Sequence, residues 1–408
     1  MSLSYSNDRV ASFRFEYEPT AIRFGAGSAD ELEAELERQG LNRALVVCGE
    51  TVGSTPEVID PVRRGLGDRL AGVFDETTPA KRLGTAIEGR ERLREADADV
   101  LVSLGGGSSL DVAKVTSTLA ASDRSAEDVY GEFAERGTIT VPDDGLVPIV
   151  AIPTTLAGAD LSTVAGVTAG PDTGPVDEEI GGGIGDPGLM PAAAVYDPEL
   201  VATTPESVLA GSAMNGFDKG IETLYASNAT PVTDATAGHG LEKLEDGLRA
   251  FGEGNRELEV FETILEGIVL VQYGISRPEE TTLSIIHAFG HGLTRTYDVQ
   301  QGAAHAVVVP HVLEYLFEQA DVDARSGMLA SALGVDNAAD HEAAVVDAVA
   351  EIRDALDLPS RLRDVDGPRP EEFTAVAEAI LADSFMANAP PGLDPAVDEI
   401  EAVLEAAW

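Results

Sequence analysis

The pattern of apolar and polar positions changes character near the middle of the chain. Up to about residue 197, short apolar runs alternate with stretches of helical spacing, and beyond about 205 only helical spacing remains. Strands are predicted over 20–25, 44–48, 70–75, 99–104, 147–152 and 192–197. A run such as Ala44-Leu-Val-Val-Cys48 is apolar on both faces, as a strand inside a parallel sheet must be. Between the strands, helices are predicted from Ser28, read as a serine cap, and over 58–70, 82–96 and 109–121. Residues 168–190, rich in Gly, Pro, Asp and Glu, predict an exposed loop or hairpin. Helical spacing then recurs over 205–230, 233–252, 257–273, 281–293 and 302–318 and on towards the end, with Pro205 just inside the first helix. The expectation is a doubly wound α/β domain over 1–200 and an all-α domain over 201–408, with no internal repeat and no long linker.

Composition narrows the function classes. The 408 residues, 44% of them hydrophobic, can bury substantial cores. No apolar run reaches the roughly 18 residues of a membrane span. The opening Met1-Ser-Leu-Ser-Tyr-Ser-Asn-Asp8 lacks the basic and apolar regions of a signal peptide. A single cysteine, Cys48, excludes an internal disulfide and suits a reducing compartment, so a cytoplasmic protein without a membrane partner is expected. The 72 acidic against 27 basic residues give a net charge of −45, spread along the chain, which repels nucleic acid. A folded chain with this charge reads as adapted to high salt, where screening weakens self-repulsion. Lysine occurs only at Lys81, Lys114, Lys219 and Lys243.

Two of those lysines sit in segments that carry chemistry. The first segment, Leu101-Val-Ser-Leu-Gly-Gly-Gly-Ser-Ser-Leu-Asp-Val-Ala-Lys114, runs from an apolar strand through a glycine triplet into a helix. Backbone N–H groups and a helix N-terminus in that setting hold a pyrophosphate, and Gly105, Gly106 and Gly107 let phosphates approach the backbone. A bare glycine triplet is also an ordinary strand-to-helix turn; Asp111 and Lys114, one turn apart, add specificity. Pro153-Thr-Thr-Leu-Ala-Gly-Ala-Asp160 lies at the end of a later strand, where α/β sheets bind ligands. The second segment is helical and carries Asn215, Lys219, His287, His291 and Gln301.

These segments resemble the iron-containing (group III) alcohol dehydrogenases. The first matches their G-G-G-S-x-x-D-x-x-K pattern and the Pro153-Thr-Thr match follows in order. The Thr154-to-Gly158 turn, Met214-Asn215 and Glu222 to Tyr225 are similar to the maleylacetate reductase branch. The resemblance spans nearly the whole chain and implies the dehydroquinate synthase-like fold of that family, NAD(P) as cofactor, a small carbonyl or alcohol as substrate, and a homodimer. It implies nucleotide contacts from Gly105, Gly106, Gly107, Ser108, Asp111 and Lys114, with Thr154 and Thr155 on the nicotinamide side and Asp160 as the acidic residue that follows. Gly49 stands after the second strand where many members carry Asp. Glu50 adjoins it, so NAD and NADP both stay open, with a lean to NADP tolerance.

The family holds its metal through D-x-x-x-H and H-x3-H-x9-H segments. Here Asn215 and Lys219 occupy the first, and His287, His291 and Gln301 the second, leaving His287 as the one good ligand. The expectation is therefore a centre with no metal, in which Lys219 replaces the metal's charge beside the substrate oxygen and His291 relays a proton. Lys219 and Arg295 would form a cationic pocket for a carboxylate-bearing substrate such as maleylacetate. Lys219 paired structurally with Asp218 or Glu222 is the plainer reading. Three further readings stay open: an iron or zinc site shifted to Asp218, Glu222, His287 and His305; a dehydroquinate synthase-like lyase; and an NAD(P)-binding protein without turnover. His239, His311 and His341 carry no motif support.

Overall fold

In a computed structural model, which describes residues 13–17, 20–278 and 280–408, the apolar runs form one parallel sheet. Its strands are β1 (Ala21–Phe24), β2 (Ala44–Val47), β3 (Leu70–Phe74), β4 (Val100–Gly105), β5 (Ile149–Pro153) and β8 (Ala193–Tyr196), in the order β1-β8-β5-β4-β2-β3. Strands β6 (Val164–Ala169) and β7 (Ile180–Gly185) form a separate antiparallel hairpin, which starts four residues before the predicted loop. The helices among these strands are α1 (Leu32–Gln39), α2 (Glu50–Ser54), α3 (Pro56–Leu66), α4 (Leu83–Glu95), α5 (Gly107–Ala120), α6 (Ala126–Arg136) and α7 (Pro198–Val201). Alternate residues of the central strands β2, β4 and β5 feed different cores. Leu45, Val47, Leu101, Ile149 and Ala151 pack with α4, α5 and α6 on one face. Ala44, Val46, Val100, Val102, Leu104, Val150 and Ile152 pack with α1 and α3 on the other. That is why these strands read as apolar throughout.

The strand order reverses at β2: the chain steps to β3 on one side, then returns to place β4 on the other, with Val47 level with Ser103. The C-terminal ends of β2 and β4 therefore flank a topological switch point, the position at which open α/β sheets bind ligands.

By its contacts the chain divides into two compact units, Glu18–Thr204 and Pro205–Trp408, the latter with the described part of Met1–Tyr17. The grouping of 13–17 with the helical unit differs from the sequence boundary, and Tyr17 meets Tyr273 edge-on at 4.7 Å. The helical unit contains α8 (Glu206–Tyr225), α9 (Pro231–Gly252), α10 (Leu258–Gln272), α11 (Ile285–Thr294), α12 (Gln301–Glu318), α13 (Ser326–Ala332), α14 (His341–Ala355), α15 (Phe373–Leu381) and α16 (Val397–Ala406). Among the described residues no helix is long and apolar enough to cross a membrane.

Two predicted caps differ. Ser28 does not cap a helix but opens a 3-10 turn after left-handed Gly27 (φ 73°); the N–H groups of Gly27 and Ala29 go to Asp197 at 3.2 and 3.0 Å. A carboxylate from the end of β8 has taken the cap's work. Pro205 is the N-cap of α8 and not its first turn.

Candidate functional site

In the α/β unit, the switch point is built mostly from backbone. Strand β4 ends at Gly105 with φ 134°, a conformation that L side chains rarely adopt. Gly106 then stands at the N-cap of the 14-residue helix α5 and makes no side-chain cap hydrogen bond to its positive end. The loop is pressed against the segment after β5. A Cβ on Gly106 would lie 3.1 Å from Thr155 Cγ2, one on Gly107 would lie 3.4 Å from the Ala159 Cβ, and Thr154 N–H donates to Gly105 O at 3.0 Å. Gly105, Gly106, Gly107, Thr154 and Thr155 are thus together, with Ser108 half-buried in the first turn of α5. Gly49 follows the neighbouring strand with ordinary φ (−85°) and caps α2, again without a side chain.

The side chains expected on the nucleotide brace this loop. Asp111 pairs with Lys81 at 2.6 Å. Lys114, with no exposed surface, donates to Ser162 O (2.6 Å), Ser162 Oγ (3.0 Å) and Val164 O (2.9 Å). A buried ammonium needs acceptors for its three protons, and the strand entering the hairpin supplies them. In this structure Asp111 and Lys114 tie α5 to Lys81 and to residues 162–164. Ser109 and Thr77 share a hydroxyl contact of 3.1 Å. Lys81 and Thr77 were not singled out by sequence; Lys81 has positive φ (51°), which no local pattern announced. Asp160 accepts from Tyr196 Oη at 2.9 Å.

In the helical unit, Asn215, Asp218, Lys219 and Glu222 recur at i, i+3, i+4 and i+7 along α8, which puts them on one face. Helix α12 sits close on α8 because Gly302 abuts the Gly211 backbone: a Cβ there would lie 1.9 Å from Gly211 O. Helix α11 closes over His305 because residue 290 is glycine; a Cβ would lie 2.1 Å from His305 Nε2. The result is two buried carboxylate–imidazole pairs, Asp218 with His305 Nδ1 and Glu222 with His287 Nδ1. The two imidazoles meet edge-on at 4.7 Å.

Burial drives Glu222 up to about 7, opposed by the backbone N–H of His287, the charge of His305 and the N–H of Ser284. Burial also drives His287 well below its ordinary value; His305 adds to this, Asp218 opposes it, and Lys219 and His291 push the same way as burial. With Nδ1 facing Glu222, Nε2 is the remaining nitrogen of His287. Asp218, His287 and His305 each offer one ligand atom, all within 4.8 Å of one another. Among the described residues, Asn215 Oδ1, Asp218 Oδ1 and His305 Nε2 have no hydrogen-bond partner. One carboxylate and two imidazoles suit iron or zinc, so the expectation of a centre without a metal meets a donor set able to hold one.

Lys219 is 8% exposed and donates to Gln272 Oε1 on α10 at 3.3 Å. Gln301 is half-buried as the first residue of α12. His291 lies one turn beyond His287, with Nδ1 2.9 Å from Asp383 Oδ2. Arg295 is bound to that same carboxylate at 3.0 Å, so its charge is balanced there and the cationic pocket expected from Lys219 and Arg295 reduces to Lys219. Gln272, Asp383 and Phe385 were not identified from sequence.

Residues 19–198 match the family model described as iron-containing alcohol dehydrogenase, and 209–408 match its C-terminal counterpart. The chain is 27% identical over 386 residues to maleylacetate reductase 1 of Cupriavidus pinatubonensis, covering 92% of each. Its fold is similar to that of maleylacetate reductase from Agrobacterium tumefaciens, with a TM-score of 0.77 at 23% identity, over 98% of this chain and 99% of that one. It is also similar to sulfoacetaldehyde reductase from Bifidobacterium kashiwanohense in complex with NAD+, with a TM-score of 0.81 at 22% identity, over 97% and 99%.

Proposed function

This chain belongs to the iron-containing alcohol dehydrogenase family, and from that premise we propose that it reduces a small, carboxylate-bearing carbonyl compound with NAD(P)H, using Lys219 as the positive charge at the substrate oxygen. It is an NAD(P)-dependent dehydrogenase or reductase. The nucleotide's pyrophosphate would lie on the uncapped N-terminus of α5, with Thr154 and Thr155 on the nicotinamide side. As hydride reaches the carbonyl carbon, charge develops on its oxygen, and a buried ammonium stabilises that charge more strongly than water would. Asn215 offers an amide on the same helix face, and His291 a nitrogen for the proton. The observation that carries this reading is the buried Lys219, standing where the family pattern has a histidine and close enough to bias His287. Among the relatives, the maleylacetate reductases supply the model for a keto-acid substrate.

The convergence of Asp218, His287 and His305 favours a second reading, in which those three residues hold iron or zinc. A divalent ion there would supply Lewis acidity towards a carbonyl oxygen. The deciding experiment is metal analysis combined with NADH and NADPH oxidation, using maleylacetate and simple aldehydes, before and after chelation. Turnover by metal-free protein supports Lys219. Stoichiometric metal that is lost in His305→Ala, together with activity lost on chelation, replaces that reading with the second. We further propose, from the net charge of −45, that the protein works in concentrated salt. Its Tm should then rise with KCl as screening grows, and a flat profile would refute this.

A further inference from the structure

Asp383 comes from the turn after α15, 92 residues from His291, and its side chain is 1% exposed. One oxygen, Oδ1, accepts the N–H of Phe385 at 3.0 Å; the other, Oδ2, lies 2.9 Å from His291 Nδ1 and 3.0 Å from Arg295 Nη1. The Phe385 ring packs against the His291 imidazole with centroids 5.0 Å apart, fixing the ring plane from a second side. Burial raises the Asp383 carboxyl, but hydrogen bonds from His291 and Phe385 and the nearby charges of His291 and Arg295 hold it below the usual carboxylate range. An ionised carboxylate cannot donate, so the nitrogen facing it must carry the proton. Arg295 Nη2 also lies 2.9 Å from His291 Nδ1 and would demand the opposite tautomer if it donated there; the carboxylate already takes a proton of Arg295 through Nη1.

We propose that Asp383 is a positioning residue for proton transfer: it holds His291 in the Nδ1–H tautomer and leaves Nε2 to exchange a proton with the substrate oxygen. This rests on the carbonyl-reduction reading above. In that direction the hydride forms the new C–H bond and the C=O π pair becomes an alkoxide lone pair. The proton on Nε2 of the His291 imidazolium then moves to that oxygen, leaving the neutral Nδ1–H ring for solvent to reprotonate. The groups facing the imidazole are Asp383, Arg295 and Phe385, with His287 one turn earlier on α11.

The test uses the full-length protein. Histidine 15N–1H spectra of the wild type, assigned by the signal lost in His291→Gln, read the tautomer with no change at Asp383. Steady-state kinetics of Asp383→Asn, which keeps the Oδ1 acceptor for Phe385, and of Asp383→Glu read its effect. Expected are an Nδ1–H signature, a kcat loss on the order of 10–100-fold in Asp383→Asn with little change in KM, and partial recovery in Asp383→Glu. In a His291→Ala background Asp383→Asn should cost nothing further, because the two residues act as one unit. An Nε2–H signature in the wild type, or losses that add in the double variant, overturns the proposal while leaving the enzyme reading intact. No turnover with either nucleotide overturns that reading itself and, with it, this role.

Discussion

The glycine loop of the α/β unit and the polar centre of the helical unit solve different problems by different means. At the loop the groups on offer are backbone: a helix start with no side-chain cap at Gly106, a glycine at φ 134°, and close packing against Thr154 and Thr155. The side chains there, Lys114, Asp111 and Lys81, hold the backbone in shape. At the helical centre the backbone sets spacing, and the polar groups that meet are side chains from α8, α11 and α12 and the turn after α15. Backbone recognition tolerates changes of side chain and is hurt by added bulk. Side-chain chemistry is lost when a single group is removed.

The sharpest test of that contrast is Lys219→Ala. If the ammonium stabilises the developing alkoxide, kcat should fall on the order of 10²–10³-fold while the nucleotide Kd, read by NAD(P)H fluorescence, stays unchanged. A loss confined to KM would make Lys219 a binding residue only. The opposite test is Gly106→Val. Its Cβ alone would lie 3.1 Å from Thr155 Cγ2, and the two methyls beyond it would crowd Thr155 and the helix N-terminus. The nucleotide Kd should rise on the order of 10–100-fold, as for losing a hydrogen bond to a charged group, with histidine spectra of the helical unit unaltered. Unchanged nucleotide affinity would mean that the loop is an ordinary turn.

The same contrast explains what was legible in the sequence. Strands buried on both faces, and a triplet of glycines between strand and helix, are local patterns, and β2, β4, β5 and the start of α5 follow from them. Helix α6 was not read, although Ser125 caps it through the N–H of Asp128; its neighbours gave no contrasting strand signal. At the helical centre the i+3 and i+4 spacing on α8 was visible, so Asp218 and Glu222 could be weighed with His287 and His305 as an alternative shell. That Asp218 meets His305 depends on Gly211 and Gly302 letting α8 and α12 approach, which no single window shows. Asp383 was missed altogether. Asp-Ser-Phe is a recognisable capping turn, with Asp383 accepting the Phe385 N–H, but nothing near it in the chain points to His291.

The smallest expected effect returns to the backbone-built site and asks whether one side chain can retune it. Gly49 follows the strand beside β4 with φ −85°, so aspartate is conformationally allowed there, although its Cβ would press on Thr77 O at 3.1 Å. A carboxylate at that position accepts a ribose 2′-OH and repels a 2′-phosphate. Unit charges a few ångströms apart near a protein surface interact by about 1–4 kcal/mol, so Gly49→Asp should lower kcat/KM for NADPH by about tenfold relative to NADH. Because the substitution touches neither Lys219 nor His291, kcat at saturating NADH should stay put, and only the ratio of the two nucleotides should move. An unchanged ratio would place the ribose elsewhere and remove Gly49 from the nucleotide site. A fall in kcat with both nucleotides would show that strain at Thr77 reaches Ser109 and the glycine loop through the hydroxyl contact that joins them.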